Sequence, residues 1–224
     1  MYGDLMRVVI AGGHGQIAMR LEKLLAARGD TAVGIIRNPA QVDDLCAAGA
    51  DPIVCDLESA SVTEVATHLD GADAVVFAAG AGPGSGAPRK DTVDRGAAVL
   101  CADAAERAGV RRYLMISAMG ANQEPPPGTD PVFAAYLRAK GAADADLASR
   151  AGLDWVIVRP GRLTDEPGTG FVELGMHTGR GMVPRDDVAA VLLALLDIPA
   201  SRLTLELVSG DTPVEEAVRS VVSA

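Results

Sequence analysis

Basic residues and aromatics are what this chain has least of. Lysine and arginine number 20 against 30 acids, a formal net charge of −10. No basic stripe is therefore available to neutralise a nucleic-acid backbone. Aromatic side chains make up 3% of the sequence, which excludes a stacking platform for single-stranded bases. The three cysteines, Cys46, Cys55 and Cys101, are odd in number and scattered. That excludes a disulfide framework and a CxxC-type metal site, and leaves the expectation of three small, buried apolar side chains. The histidines, His14, His68 and His177, show no ligand spacing either, so no metal is expected. The longest apolar run, "VAAVLLALL", falls well short of the ~20 residues that span a bilayer. The first strand begins about six residues in, which leaves no room for a signal peptide. The expectation is a cytoplasmic protein that engages neither nucleic acid nor membrane. Lysine is scarce enough to mark individually: it occurs only at positions 23, 90 and 140.

What is present is a large apolar fraction, 49% over 224 residues, enough for one sizeable core. Short β-branched runs alternate with Ala/Leu-rich helical stretches. "RVVIAG", "TAVGII", "PIVC", "DAVVFAA", "RRYLMIS" and "DWVIVRP" read as strands. Helices are expected over 16–28, after Asn38-Pro39, and over 59–69, 91–108 and 131–151. Fully apolar strands alternating with helices imply a parallel sheet covered on both faces. With right-handed crossovers this is an α/β fold, a doubly wound parallel-sheet Rossmann domain. The stretch "TDEPGTGFVELGMHTGRGMVP" reads as loop with up to two short strands. A helix over 186–196, the strand "RLTLELV" and the helix "PVEEAVRSVVS" follow. The whole chain, 1–224, is read as one domain, with residues from about 160 onward forming a small extension that walls the substrate side.

"VVIAGGHGQIA" is a strand, a glycine-rich turn and a helix start. Gly12, Gly15 and Ala18 have the G-x-x-G-x-x-A spacing: a tight turn, close backbone approach to a pyrophosphate, and close helix–strand packing. The helix N-terminus then offers free N–H groups to phosphate. Gly13, His14, Gln16 and Ile17 complete this candidate cradle. A NAD site usually carries an acid at the end of the second strand. Here that strand ends "GIIRNP", and Arg37 suits the 2′-phosphate of NADP unless it is simply a solvated side chain. Asp56 and Leu57 in "CDLES" stand where adenine could rest, although Asp56 reads equally well as a helix cap. Ala78, Ala79 and Gly80 lead into a loop rich in glycine that either approaches a ribose or is plain surface loop.

"YLRAK" is the other informative stretch. At 100° per residue Phe133, Tyr136, Lys140, Ala143 and Leu147 share one helix face, so Lys140 stands in an apolar stripe. Asp144, four residues on, offers it an ordinary ion pair in the weaker order. Together with "GGHGQIA", "IRNP", "DLES", "YLMISAMGA", "LDWVIVRPGRLTDEPGTG" and "RDDVA", the chain resembles the short-chain dehydrogenase/reductase superfamily. It is most similar to the atypical NAD(P)H-binding branch near NmrA-like and biliverdin-reductase-B-like proteins, over nearly its whole length.

The resemblance implies a catalytic set of Tyr136, Lys140 and Ser117, with Asp94 standing where an Asn is usual, and a longer Ser117–Tyr136 gap than standard members have. In that set Lys140 lowers the Tyr136 pKa and bonds the nicotinamide ribose, while Ser117 orients a substrate carbonyl. The other reading keeps Tyr136 as a core residue and Lys140 as a ribose ligand without tyrosine chemistry. The resemblance also implies that Pro160, Gly161 and neighbouring groups including Leu163 hold the carboxamide end of nicotinamide. Arg162 either meets an anionic substrate group or is solvated, and Asp186 and Asp187 read as helix caps. The expected function is NADP(H)-dependent hydride transfer to a small carbonyl, quinone or flavin-like acceptor. The rivals are a sensor that binds NADP(H) without turnover and signals to a protein partner, and a sugar epimerase-like enzyme.

Overall fold

The computed structural model describes residues 5–82 and 84–222. Six parallel strands form its centre: β1 (Arg7–Ala11), β2 (Thr31–Ile36), β3 (Ala50–Val54), β4 (Ala74–Phe77), β5 (Arg112–Ile116) and β6 (Asp154–Pro160). Their spatial order, β3-β2-β1-β4-β5-β6, reverses direction at β1/β4, where doubly wound sheets open a crevice at the strands' carboxyl ends. Alternation along each strand feeds two apolar layers: Val8 and Ile10 join one core cluster, Val9 and Ala11 the other. Helices α1 (Gln16–Arg28), α7 (Arg185–Leu196) and α8 (Val214–Val222) cover the first layer. Helices α3 (Val62–Leu69), α5 (Ala98–Ala108) and α6 (Pro131–Ala148) cover the second. Ser223, the expected last residue of the final helix, lies outside the described residues.

Several elements depart from expectation. The C-terminal stretch carries the two short strands expected of it, β8 (Phe171–Gly175) and β9 (Met182–Pro184), but a further short strand, β7 (Arg162–Thr164), precedes them. β8 inserts antiparallel beside β10 (Leu203–Ser209), which itself extends the main sheet from β6. Val172 and Leu174 alternate with exposed neighbours, so β8 needs only one buried face, and that short pattern is easily lost among glycines. The helix expected to open at Asp91 starts earlier, with α4 (Ala87–Arg89), and continues as a π-helical segment over Lys90–Ala97 before α5. α6 ends at Ala148, three residues short of expectation. Cys46, on α2 (Val42–Ala47), is exposed, which corrects its reading as a buried side chain; Cys55 and Cys101 are buried. No described helix is long and apolar enough to cross a membrane.

Candidate active site

The glycine loop sits at the crevice. Gly12 has φ +84°, and a Cβ there would stand 2.6 Å from the Ala79 backbone, so only glycine lets β4's end pack on the turn. Gly12 and Gly13 N–H both donate to the Ile35 carbonyl at 3.0 Å. Gly15 precedes α1 without a side-chain cap, and the first turn holds no acid, so the helix end can receive an anion. Gly13 does not face the cleft as expected. A Cβ on it would meet Gly34 Cα at 2.7 Å, so its missing side chain serves packing against β2. His14 borders the cleft with both ring nitrogens engaged, one at 2.8 Å from Asp44 and the other at 3.0 Å from Gln41.

On the β2/β3 side the loop opens into a cavity of about 240 Å³ bordered by Arg37, Asp56, Leu57 and Arg89. Arg37 is half-exposed and donates to Glu58 at 3.1 Å. Glu58 also accepts from Arg89 at 2.6 Å and Thr92 at 2.7 Å, and these two bonds hold its carboxyl below the usual range. Two guanidinium groups thus flank one carboxylate at the cavity mouth. Glu58 and Arg89 were not legible as a pair, because a strand-end loop and the start of a helix 31 residues later meet only in the fold. Asp56 caps no helix: it accepts the N–H of Glu58 in a local turn, and Ser61 caps α3.

On the other side, a cavity of about 640 Å³ shares His14, Gly15 and Ala78–Gly80 with the first. Ser117, Tyr136, Lys140, Asp94 and Lys90 line it, with Leu163 and Arg185 from the C-terminal region. The long Ser117–Tyr136 connection does not separate the two residues, because Gly141 leaves room for the Ala121 carbonyl against α6. Pro160 and Gly161 line neither cavity, contrary to expectation. The Pro160 carbonyl accepts from the Met119 N–H at 3.0 Å and the Gly161 N–H donates to the Leu207 carbonyl at 2.9 Å, so neighbouring backbone engages both. Arg162 is exposed and also lines neither cavity.

The polar network differs from the expected one in two ways. Lys140, 4% exposed, faces Asp94 at 3.4 Å and donates to the Ile116 carbonyl at 3.1 Å and the Ala79 carbonyl at 3.4 Å. Its supposed partner Asp144 pairs instead with Arg159 at 2.8 Å. Burial pulls the Lys140 pKa down, and Asp94 opposes this. Asp94 is fully buried and accepts the Ala81 N–H at 3.3 Å, which ties the following loop to the ion pair. Tyr136 is the second difference. Burial, then Asp94 and Asp144, push its pKa up rather than down, so it is a neutral phenol at neutral pH. Its ring stacks on Phe133 at 5.9 Å, with the Lys90 ammonium 5.5 Å from its centroid. Ser117 Oγ is buried and makes no hydrogen bond of good geometry, though it lies near enough to Asp144 to favour that carboxylate. The π-helical turn carries both Lys90 and Asp94 to this cavity, a use to which such segments are often put.

Asp186 and Asp187 are not caps. They lie in the first turn of α7 and accept from Gly168 at 3.1 Å and from Thr169 and Gly170 at 3.0 and 2.8 Å, so they fasten the loop before β8.

A family model described as NAD(P)H-binding matches residues 12–199. A Bacillus subtilis protein named "Uncharacterized sugar epimerase YhfK" is 36% identical over 218 residues, 96% of this chain and 100% of that protein. A solved structure from Bacillus halodurans, provisionally named an NAD-dependent epimerase/dehydratase, is 35% identical with a TM-score of 0.88, covering 96% of this chain and 100% of that one. A Lactococcus lactis structure named the oxidoreductase ylbE is 26% identical with a TM-score of 0.84, covering 98% of each.

Proposed function

This chain belongs to the NAD(P)H-binding family, in the atypical short-chain dehydrogenase/reductase group, and on that premise we propose that it is an NADP(H)-dependent oxidoreductase acting on a small carbonyl, quinone or flavin-like acceptor. The observation that carries the reading is continuity. One crevice runs from the Arg37/Arg89 edge past the glycine loop to Ser117, Tyr136 and Lys140. The residues fit the cofactor, since Gly15 leaves the backbone bare at the uncapped start of α1, where a pyrophosphate needs it, and a Cβ there would already stand 3.0 Å from the Gly12 carbonyl. When bound, the reduced nicotinamide supplies the hydride.

The chain's own residues do the rest. Arg37 and Arg89 offer forked donors to a 2′-phosphate, and Glu58 holds both in place. Lys140 holds the nicotinamide ribose, and Asp94 favours its charged form against the pull of burial. Tyr136, retained as the phenol, is in the form that donates a proton to a carbonyl oxygen as hydride arrives. Ser117 Oγ, without a well-formed bond of its own, is available to orient that oxygen. Leu163 and Arg185 close the substrate side.

A second reading has one observation in its favour. Lys140 is committed to Asp94 and two carbonyls rather than to the Tyr136 hydroxyl, which suits a module that senses NADP(H) and signals to a protein partner without turnover. The deciding experiment follows NADPH oxidation with aldehydes, ketones, quinones, flavins and, because relatives carry epimerase names, nucleotide sugars. Oxidation with any acceptor supports the enzyme. Tight NADPH binding with no turnover across the panel supports the sensor, and interconversion of a nucleotide sugar without net oxidation supports the epimerase.

A further inference from the structure

Behind the adenine-side cavity, the end of β3 and helix α3 bring three unlike ligand atoms together. Cys55 directly follows β3 and its thiol is buried. Glu64 and His68 stand four residues apart on α3, the spacing that puts two side chains on one helix face. The Cys55 Sγ, a Glu64 carboxylate oxygen and a His68 ring nitrogen all lie within 4.8 Å of one another. The helix dipole accounts for an acid in the first turn and a histidine in the last. It does not account for both converging on a thiol, and no hydrogen bond or ion pair engages any of the three side chains among the described residues.

We propose that Cys55, Glu64 and His68 form a binding site for a divalent cation of the zinc class, with a fourth position open to water. The donor set selects the ion. A thiolate with an imidazole and one carboxylate suits zinc and its cobalt surrogate, whereas magnesium and calcium require oxygen ligands. Zinc bonds of about 2.0–2.3 Å place tetrahedral ligand atoms roughly 3.5 Å apart. The present spread must tighten to that on binding, and Glu64 is the exposed member of the three. Binding replaces the thiol proton by the metal and releases that proton to solvent. The bound ion would clamp β3 to α3 immediately behind the wall that Cys55, Asp56 and Leu57 present to the cofactor cavity.

Cobalt(II) titration of the full chain tests this, in a Cys46→Ser background because Cys46 is an exposed competing thiol. The expected result is one equivalent bound, with a thiolate-to-cobalt charge-transfer band and the intense visible bands of four-coordinate cobalt, both bleached by zinc. Cys55→Ser should abolish the charge-transfer band. His68→Gln and Glu64→Gln, with side chains at or near the surface and circular dichroism unchanged, should each weaken binding at least about tenfold. Absence of the band at millimolar cobalt overturns the site. So does its persistence in Cys55→Ser. If Cys55→Ser fails to fold, unaltered affinity in His68→Gln overturns the site alone.

Discussion

Replacing Glu22 by Gln should change how stability depends on pH. Glu22 lies in the middle of α1, fully buried, and neither carboxylate oxygen has a hydrogen-bond partner among the described residues. Its Oε1 faces the crossing of the glycine turn and β2, where a Cβ on Gly34 would stand 2.7 Å away. Burial alone pushes its pKa from 4.5 to about 8. Between those values the folded chain keeps a proton that the unfolded chain has released. Stability therefore falls as pH rises through this window, is undiminished below it, and levels off above it. At about 1.36 kcal/mol per pH unit the full span corresponds to roughly 5 kcal/mol. Relaxation and water entry on ionisation reduce that to about 3 kcal/mol, still a large share of the ~5–15 kcal/mol that holds a domain folded. Gln mimics the protonated carboxyl and cannot titrate. Urea unfolding of both proteins near pH 5, 7 and 9 gives the comparison. The two should be nearly equal near pH 5, and the Gln variant should lead by about 3 kcal/mol near pH 9. A difference that stays constant across the range would show that Glu22 does not hold its proton in the folded chain, and the reasoning would fail.

Three further outcomes test the crevice. Arg37→Ala should lower NADPH affinity by about tenfold while sparing NADH, the lower end for a charged hydrogen bond because Arg37 is half-exposed and Arg89 remains; isothermal titration with both nucleotides reads this, and equal affinities in the unaltered protein would sink the assignment. Gly15→Val should abolish binding of both nucleotides in a protein that still folds, since a Cβ there already comes within 3.0 Å of the Gly12 carbonyl at the cradle; near-normal titration would remove the site. Tyr136→Phe should keep NADPH affinity and lose about 10²–10⁴ in turnover of a carbonyl acceptor, the usual cost of a lost general acid. Reduction of a flavin, which can take its proton from solvent, should be spared, and full carbonyl activity in the variant would reduce "YLRAK" to a cofactor-binding helix face.

Where the sequence was sufficient, the determining residues were neighbours along the chain. Strand and helix identities followed from apolar runs and Ala/Leu-rich stretches, and the doubly wound parallel sheet from right-handed crossovers, whereas the spatial order of the strands came from the structure. The glycine cradle was legible because Gly12, Gly15 and α1 form one continuous turn whose geometry is set locally. Tyr136 and Lys140 were legible as a pair because one helical turn joins them, and they do border one cavity. What each residue touches was decided elsewhere. Asp94 reaches Lys140 across 46 positions, Arg89 reaches Glu58 across 31, and Asp144 leaves Lys140 for Arg159 because β6 passes beside α6. The backbone groups of Pro160 and Gly161 bond to Met119, 41 positions earlier, and to Leu207, 46 positions later, and neither residue lines a cavity. Glu22 carries no local mark at all, since an acid on an amphipathic helix reads as solvated until α1 is rotated onto the sheet. A charge's partner and its desolvation depend on which surfaces come within a few ångströms, and sequence distance does not encode that. The sequence therefore set the glycine turn and the Tyr136–Lys140 spacing, and the tertiary packing set the raised pKa of Tyr136 and the lowered pKa of Lys140.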